Sequence, residues 1–359
     1  MSEIDFYDQP LKYKKMLIEN RTEIRGKFDS LLGGICGEIY VYDQGKVTYP
    51  RFICVKVPKK LKNDPGYTQT ISRFIRELKL QHSFYGSSFV CCAFDFHTVA
   101  NTPSASYRYW TGDLGYFLKE RLLSRISRLS LLAYACEGLI HCYSKGLTSH
   151  QDLKPANILV KEMKKIYEGL DDLDIHQLAL IADFGLANAS VDDEVFQGSR
   201  PYMAPEQWNL QTLSSATDVF ALGVIFYEMM TGGLHPVGIE LEDYWPEPQD
   251  GNSTKWMRDD SWKKWIKNGC AITETDIAIE PEIQSFISQM LSFDPLQRPA
   301  IEDVQQFLLE CIKSECIHSF AGASGYIKGS RQQYSDSTEQ EGSVYLNSKF
   351  EALMNEFKN

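Results

Sequence analysis

His150-Gln151-Asp152-Leu153-Lys154-Pro155-Ala156-Asn157-Ile158-Leu159-Val160 is the stretch on which the reading of this chain turns. Asp152, Lys154 and Asn157 follow one another closely, and an apolar run comes next that reads as a short buried strand. Each polar type suits one task in moving a phosphoryl group. A carboxylate accepts the proton of an attacking hydroxyl. An ammonium neutralises charge on a transferred phosphate. A side-chain amide oxygen suits Mg²⁺, which prefers oxygen ligands. Pro155 stiffens the loop that spaces them. A polar turn ahead of a core strand would use the same residue types, so the rest of the chain has to decide.

Composition sets the frame. A chain of 359 residues has room for two or three compact units. At 43% hydrophobic and 24% charged it has the balance of an ordinary globular protein. No apolar run approaches the roughly 20 residues of a membrane span. The acidic start, Met1-Ser2-Glu3-Ile4-Asp5, lacks the basic-then-apolar pattern of a secretory signal, so a cytoplasmic location and no membrane partner are expected. Nine cysteines, an odd number without a C-x-x-C pair, point to reduced thiols rather than a disulfide framework or a zinc site. A net charge of -11 disfavours nucleic acid and is compatible with a basic peptide partner.

Upstream of the central stretch, residues 1–27 carry no chemical motif and read as an N-terminal extension packed on the adjoining domain. Residues 28–58 read as strand, turn, strand, with Asp43-Gln44-Gly45 as the turn. Within them, Leu32-Gly33-Gly34-Ile35-Cys36-Gly37-Glu38-Ile39 is rich in glycine, which lets a backbone approach phosphate oxygens with no Cβ in the way. Ile53-Cys54-Val55-Lys56-Val57 places an ammonium in a β-rich run, either at a solvated edge or facing a ligand. Residues 67–82 have helical periodicity, with Ile71, Phe74, Ile75 and Leu78 on one face and Glu77 among them. Phe89–Phe96 reads as a strand and Asn101–Ser104 as a turn. From Leu114 to Lys145 the pattern is helical, with a break expected near Arg125–Ser130 and Gly146 as the stop.

Downstream, Leu178–Ala182 reads as a buried strand ending at Asp183-Phe184-Gly185, a carboxylate suited to metal binding beside a flexible glycine. Gly198-Ser199 leads to Ala204-Pro205-Glu206. Asp218–Met230 is a strongly apolar helix with a costly carboxylate near its start. Residues 161–177 are charged and read as a surface insertion. Residues 238–277 carry Trp245, Trp256, Trp262 and Trp265, which offer either a docking surface for a partner or aromatic packing. Residues 320–345 read as a linker, and Phe350–Phe357 as a short tail helix.

The central stretch resembles the catalytic loop of the protein kinase family, H-R-D-L-x-x-x-N, and its Lys-Pro pair resembles the Ser/Thr branch. The other motifs fall in that family's order. Gly34, Gly37 and Ile39 match G-x-G-x-x-G-x-V from its second glycine, with Leu32 in place of the first. Lys56 matches the V-A-I-K lysine, Asp183-Phe184-Gly185 matches D-F-G, Ala204-Pro205-Glu206 matches A-P-E, and Arg298 matches the closing arginine.

The resemblance implies an α+β, two-lobed protein kinase fold over residues 28–314. Its N-lobe, about 28–106, would be β-rich with one helix, its C-lobe, about 107–314, mainly helical, and 315–359 a linker and tail. It implies ATP and Mg²⁺ as cofactors and a protein substrate with a Ser or Thr acceptor. Asp152 would orient the hydroxyl and take its proton, and Lys154 would neutralise the γ-phosphate. Asn157 and Asp183 would hold Mg²⁺. Lys56, steered by Glu77, would grip the α- and β-phosphates. Gly34, Gly37, Ile39, Cys54, Asp113 and Leu159 would contact the nucleotide, although Asp113 fits an ordinary helix N-cap equally well. Ser199 would bond the catalytic Asp and Lys, Asp218 the backbone of the catalytic loop, and Arg298 would pair with Glu206.

One departure stands out. The family's H-R-D arginine is Gln151, which carries no charge to receive a phosphorylated activation-loop residue. Control by such a phosphate is therefore expected to be absent. A binding-only pseudokinase and a small-molecule kinase share the fold; the complete polar set speaks against the first, and A-P-E with Ser199 against the second.

Overall fold

The computed structural model describes the chain apart from residues 1–4, 23, 25, 34–36, 47, 49, 61–66, 111, 121, 189–197, 242–258, 338–340 and 358–359, and apart from the side chains of 259–261, 334–337 and 341–343. The described residues form two units. The first comprises Met1–Gly86, Cys91–Thr111 and Gln332–Asn359; the second comprises Ser87–Val90 and Gly112–Arg331.

In the first unit, β1 (Lys27–Gly33), β2 (Gly37–Asp43), β3 (Phe52–Pro58), β4 (Asp95–Val99) and β5 (Thr102–Arg108) form an antiparallel sheet of order β1-β2-β3-β5-β4. Alternation along β3 sorts its side chains to two faces. Ile53, Val55 and Val57 join Tyr40, Tyr42 and Val99 in a core that Phe6 and Ile18 cover from the N-terminal segment. Ile18 lies on α1 (Leu11–Arg21). Cys54 and Lys56 alternate with these to the opposite face. Helix α2 (Thr68–Ser83) buries Phe74, Ile75 and Leu78 as its periodicity predicts.

Two expectations about this region need correction. Phe89–Phe96 does not form one strand: β4 starts at Asp95, and Val90 makes only an isolated bridge to Ile181. Phe89 is satisfied instead by stacking on Tyr134, ring centroids 5.2 Å apart. An apolar run buried by packing looks the same in sequence as a buried strand. The expected turn at Asn101–Ser104 is displaced, because Ala100 and Asn101 take the left-handed conformation (φ 45° and 59°) and β5 already begins at Thr102.

In the second unit, α3 (Leu114–Lys119) is followed by α4 (Arg125–Ser144), so the break falls before Arg125. The Ser124 hydroxyl caps α4 by accepting from the Ser127 amide at 3.2 Å, a start signal stronger than the apolar pattern suggested. Gly146, at φ 94°, ends it as expected. The hairpin β6 (Ile158–Glu162) and β7 (Gln177–Ile181) comes next, then α5 (Pro205–Trp208), α6 (Ser215–Thr231), β8 (Leu234–His235), β9 (Ile239–Glu240), α7 (Asp259–Lys267), α8 (Pro281–Met290) and α9 (Ile301–Glu315). Helices α4 and α6 are buried almost all round, which fits their apolar sequences.

Trp262 and Trp265 on α7 are buried and lie edge-on to His235 at 5.1 and 5.0 Å, so these two pack and are not available for docking. Trp245 and Trp256 lie outside the described residues.

Residues expected as a linker are largely helical: α10 spans Ile317–Ser337, and α11 spans Glu341–Glu356. On α10, Ala323 and Ile327 are buried, Tyr326 bonds His176 at 2.7 Å, and Arg331 grips Glu137 through Nε at 2.6 Å and Nη2 at 2.5 Å. Gly322, read as a linker residue, is a point of close approach where a Cβ would strike Ile175. No helix among the described residues is long and apolar enough to cross a membrane.

Candidate active site

The second unit builds a loop around one buried carboxylate. Asp218, near the start of α6, accepts from Tyr143 OH (2.8 Å), Ser149 Oγ (3.0 Å) and the backbone amides of His150 (2.7 Å) and Gln151 (3.2 Å). Burial pushes its pKa up, and these donors oppose the shift. Gln151 is held at φ 69°, a conformation costly for a non-glycine residue. Two bonds over-determine it: its amide to Asp218, and its carbonyl accepting from Gln207 Nε2 at 2.9 Å.

The next turn presents the predicted polar set. Asp152 Oδ2 accepts from Lys154 Nζ (2.7 Å) and Asn157 Nδ2 (3.2 Å). Asn157 Nδ2 also donates to the Asp152 carbonyl at 2.7 Å, which leaves the amide oxygen for a hard cation. Asp152 Oδ1 is buried and has no hydrogen-bond partner among the described residues. Lys154 Nζ reaches Ser199 Oγ at 2.8 Å, the expected bond to the lysine. Leu159 sits half-buried on β6 and bridges to Asp113.

Asp183 lies just beyond β7 at φ 61°, and Phe184 behind it is buried against His150, ring centroids 5.0 Å apart. His150 Nε2 lies 3.0 Å from the Ala182 carbonyl, so the histidine ties the catalytic loop to the segment carrying Asp183. The expected pair of Arg298 and Glu206 is a buried two-pronged ion pair at 2.7 and 2.9 Å. Asp113 caps α3, its Oδ1 accepting from the Tyr116 amide at 2.9 Å.

In the first unit, Lys56 Nζ meets Glu77 Oε1 at 2.5 Å with both side chains largely buried. Gly37 is where the lysine stem needs room, since a Cβ there would come within 3.1 Å of Lys56 Cε. Ile39 pairs with Lys56 across β2 and β3, and Cys54 pairs with Tyr107 across β3 and β5. Burial pushes the Cys54 thiol well up, leaving it an inert apolar wall. Gly34 lies outside the described residues, as does Ser190 of the expected activation segment.

Sequence reasoning missed several supports. Tyr143, Ser149 and Gln207 fix the catalytic loop, and no local signal marks them. Tyr107 and Gln81 hold the end of α2: the tyrosine hydroxyl donates to Gln81 Oε1 at 2.7 Å, and Gln81 Nε2 donates to the Cys91 carbonyl at 2.7 Å. Glu228 was detectable, because a carboxylate inside an apolar helix needs a donor. Tyr202 OH supplies it at 3.0 and 3.2 Å, directly after the Ser199 loop.

A β-sheet unit carrying a Lys–Glu pair and a helical unit carrying the Asp–Lys–Asn loop and a strand-end Asp define the protein kinase class. The chain belongs to the protein kinase family, matching the protein kinase domain over residues 34–308. It is 30% identical over 210 residues to the sensor for unfolded proteins in the ER ire1 of Schizosaccharomyces pombe, which covers 51% of this chain and 18% of that protein. It is 27% identical over 228 residues to the ovarian-specific serine/threonine-protein kinase Lok of Drosophila melanogaster, covering 60% of this chain and 42% of that protein. It is 31% identical over 194 residues to the serine/threonine-protein kinase ATG1 of Saccharomyces cerevisiae, covering 50% and 20%. The chain thus spans less than half the length of these relatives.

Proposed function

We propose that this chain transfers the γ-phosphoryl group of MgATP to Ser or Thr hydroxyls of protein substrates. The observation that carries the reading is Asp152. One of its oxygens is held by Lys154 and Asn157, and the other is buried with no partner among the described residues. A substrate hydroxyl is the donor that oxygen lacks, and Asp152 would take its proton as the new bond forms. Lys154 would neutralise charge on the group in transit, with Ser199 holding its ammonium in place. Mg²⁺, held by the Asn157 amide oxygen and Asp183, would supply charge neutralisation at the phosphates. Lys56, fixed by Glu77, would pair with the α- and β-phosphates. Cys54, Ile39 and Leu159 would line the base, and the second Asp113 oxygen is the one available to a ribose. The named kinases among the relatives support a Ser/Thr acceptor.

The reading includes activity without a phosphorylated activation segment. Gln151 offers no charge, and Asp192, Asp193 and Glu194 follow closely in sequence on Ser190, the only hydroxyl residue from Leu186 to Gly198. A phosphate there would add about -1.5 to -2 charge beside them. An assay with MgATP that separates autophosphorylation, protein acceptors and small acceptors tests the whole reading, with Asp152→Ala as the blank. Phosphate transfer only to small molecules would replace the protein substrate, and none at all would leave a binding protein. Phosphatase-treated wild type should match Ser190→Ala in initial rate. A tenfold difference between untreated and treated protein would contradict independence from the phosphate.

A further inference from the structure

We infer that α11 is a positioning element for the phosphate-gripping lysine, and that Phe350 is the residue through which it acts. The inference rests on the kinase reading for the role of Lys56. All the contacts it uses lie within the first unit. Helix α2 carries Glu77 and, little more than one turn further on, His82. The His82 ring is stacked on Phe350 with centroids 4.0 Å apart and planes 20° apart. Phe96 of β4 closes the cluster, edge-on to Phe350 at 5.1 Å and to His82 at 5.7 Å. Asn347 Oδ1 lies 2.8 Å from His82 Nε2, so one turn of α11 meets the histidine by ring face and by ring nitrogen.

Further anchors keep α11 in that place. Leu346 and Leu353 are buried, and Glu356 Oε2 accepts from Thr98 Oγ1 at 2.6 Å. Leu346, Phe350 and Leu353 recur at helical spacing, so a single face of α11 makes the seat. At its N-terminal end α2 starts from Tyr67, in a left-handed conformation, whose hydroxyl donates to Asp5 Oδ2 at 2.7 Å and whose ring stacks on Tyr7 at 4.6 Å. The C-terminal end is the second anchor and the one nearer Glu77, with Gln81 holding one side and His82 with Phe350 the other. A helix moves as a stiff unit over so short a span. Releasing His82 shifts the Glu77 carboxylate relative to Lys56, and a displacement of about 1 Å at a positioned group can cost roughly a hundredfold in rate. Gln81 limits the shift, so the effect expected is smaller, about tenfold.

The experiment compares full-length wild type, Phe350→Ala, Phe350→Tyr and, on the exposed face of the same helix, Glu351→Ala. Phe350→Ala should lower kcat/KM for MgATP about tenfold, with the KM for MgATP raised and the KM for the protein acceptor unchanged. Phe350→Tyr and Glu351→Ala should stay within about twofold of wild type. In a Glu77→Gln background, Phe350→Ala should add less than about twofold, because the pathway through Glu77 is already cut. A chain ending at residue 340 should show the same defect and recover on adding a peptide of residues 341–357, which guards against a variant that merely misfolds. An unchanged KM for MgATP in Phe350→Ala, or full additivity with Glu77→Gln, would overturn the inference. If wild type transfers phosphate to no acceptor, the kinase reading fails on its own. MgATP affinity by calorimetry then decides this inference, and equal affinities for wild type and Phe350→Ala overturn it.

Discussion

The two oxygens of the Asp152 carboxylate have different fates. Oδ2 is bonded twice, while Oδ1 is buried and unpartnered among the described residues. An unsatisfied buried acceptor costs about 1–3 kcal/mol, which folding alone gives no reason to retain. Asp183 differs in kind, since it sits at a strand end in a left-handed backbone beside a glycine. Asp183→Asn should therefore weaken MgATP binding by roughly tenfold or more. Asp152→Asn should leave that affinity within about twofold and lower turnover by about 10²–10⁴, the range of general base catalysis. Calorimetry with MgATP separates the two, and equal losses of affinity would contradict the division of labour. Two neutral buried groups near Ser199 give a second prediction. Burial pushes Glu228 up to about 8 and His235 down to about 4. Glu228 is thus protonated in the fold and ionised when unfolded above its ordinary value, so its contribution is present at low pH and lost as pH rises to about 8. The buried His235 works in the opposite sense, costing stability as pH falls from its ordinary range toward about 4. The two slopes oppose one another in mildly acid solution, and from pH about 6.5 to 8 only Glu228 titrates, at up to about 1.4 kcal/mol per pH unit. Melting curves should show Glu228→Gln gaining on wild type as pH rises through that window. A constant difference in Tm would mean Glu228 is ionised in the fold.

Strand β2 illustrates how an element sets the geometry of a residue on its neighbour. Gly37 stands opposite Pro58, and a Cβ on it would come 2.8 Å from the Val57 carbonyl and 3.2 Å from Lys56 Cγ. A backbone carbonyl in a ladder cannot step aside, so Gly37→Ala should push β2 off β3 at a cost of about 1–3 kcal/mol and disturb Lys56. Gly33 on β1 is the control, because a Cβ there meets nothing within 4 Å among the described residues. Thermal melts and kcat/KM for MgATP should fall in Gly37→Ala and hold in Gly33→Ala; equal behaviour would mean the strands adapt. The same elements show what the sequence could reveal. Alternation in Ile53–Val57 disclosed β3 and the odd lysine on it, and the apolar length of α6 disclosed a central helix whose Asp218 had to be bonded. The cluster of Asp152, Lys154 and Asn157 was legible because its members lie in a few adjacent positions. Donors such as Tyr143 and Gln207 were not, since they act from distant parts of the chain and look like any surface polar residue. The false strand at Phe89–Phe96 has the opposite cause: burial was signalled correctly, but periodicity does not report how the backbone is bonded.

At the scale of the whole molecule, both units reach beyond the segment that matches the family. The match covers residues 34–308, yet Phe6 and Ile18 complete the core of the sheet and both α10 and α11 lie entirely beyond it. Composition hid these helices. Residues 317–337 are rich in Gly, Ser and Gln, and the few that matter, Ala323, Tyr326, Ile327 and Arg331, are spaced along one face among polar neighbours. Helix α10 is bound to the second unit by several kinds of contact. Ile327 is 4% exposed, His176 bonds Tyr326 OH on one ring nitrogen and Asp171 on the other, and Arg331 and Gln305 share Glu137. Burying an isoleucine contributes about 1.5–3 kcal/mol. The Arg331 pair adds about 1 kcal/mol, because its side chain is 55% exposed and solvent screens it. A chain ending at residue 314 should therefore unfold with about 3 kcal/mol less stability than one ending at 331. Both pieces lack α11, so the comparison isolates α10. Urea unfolding followed by circular dichroism reads the difference as a lower midpoint for the shorter piece. Coincident midpoints would show that α10 is appended to the second unit and contributes nothing to its fold.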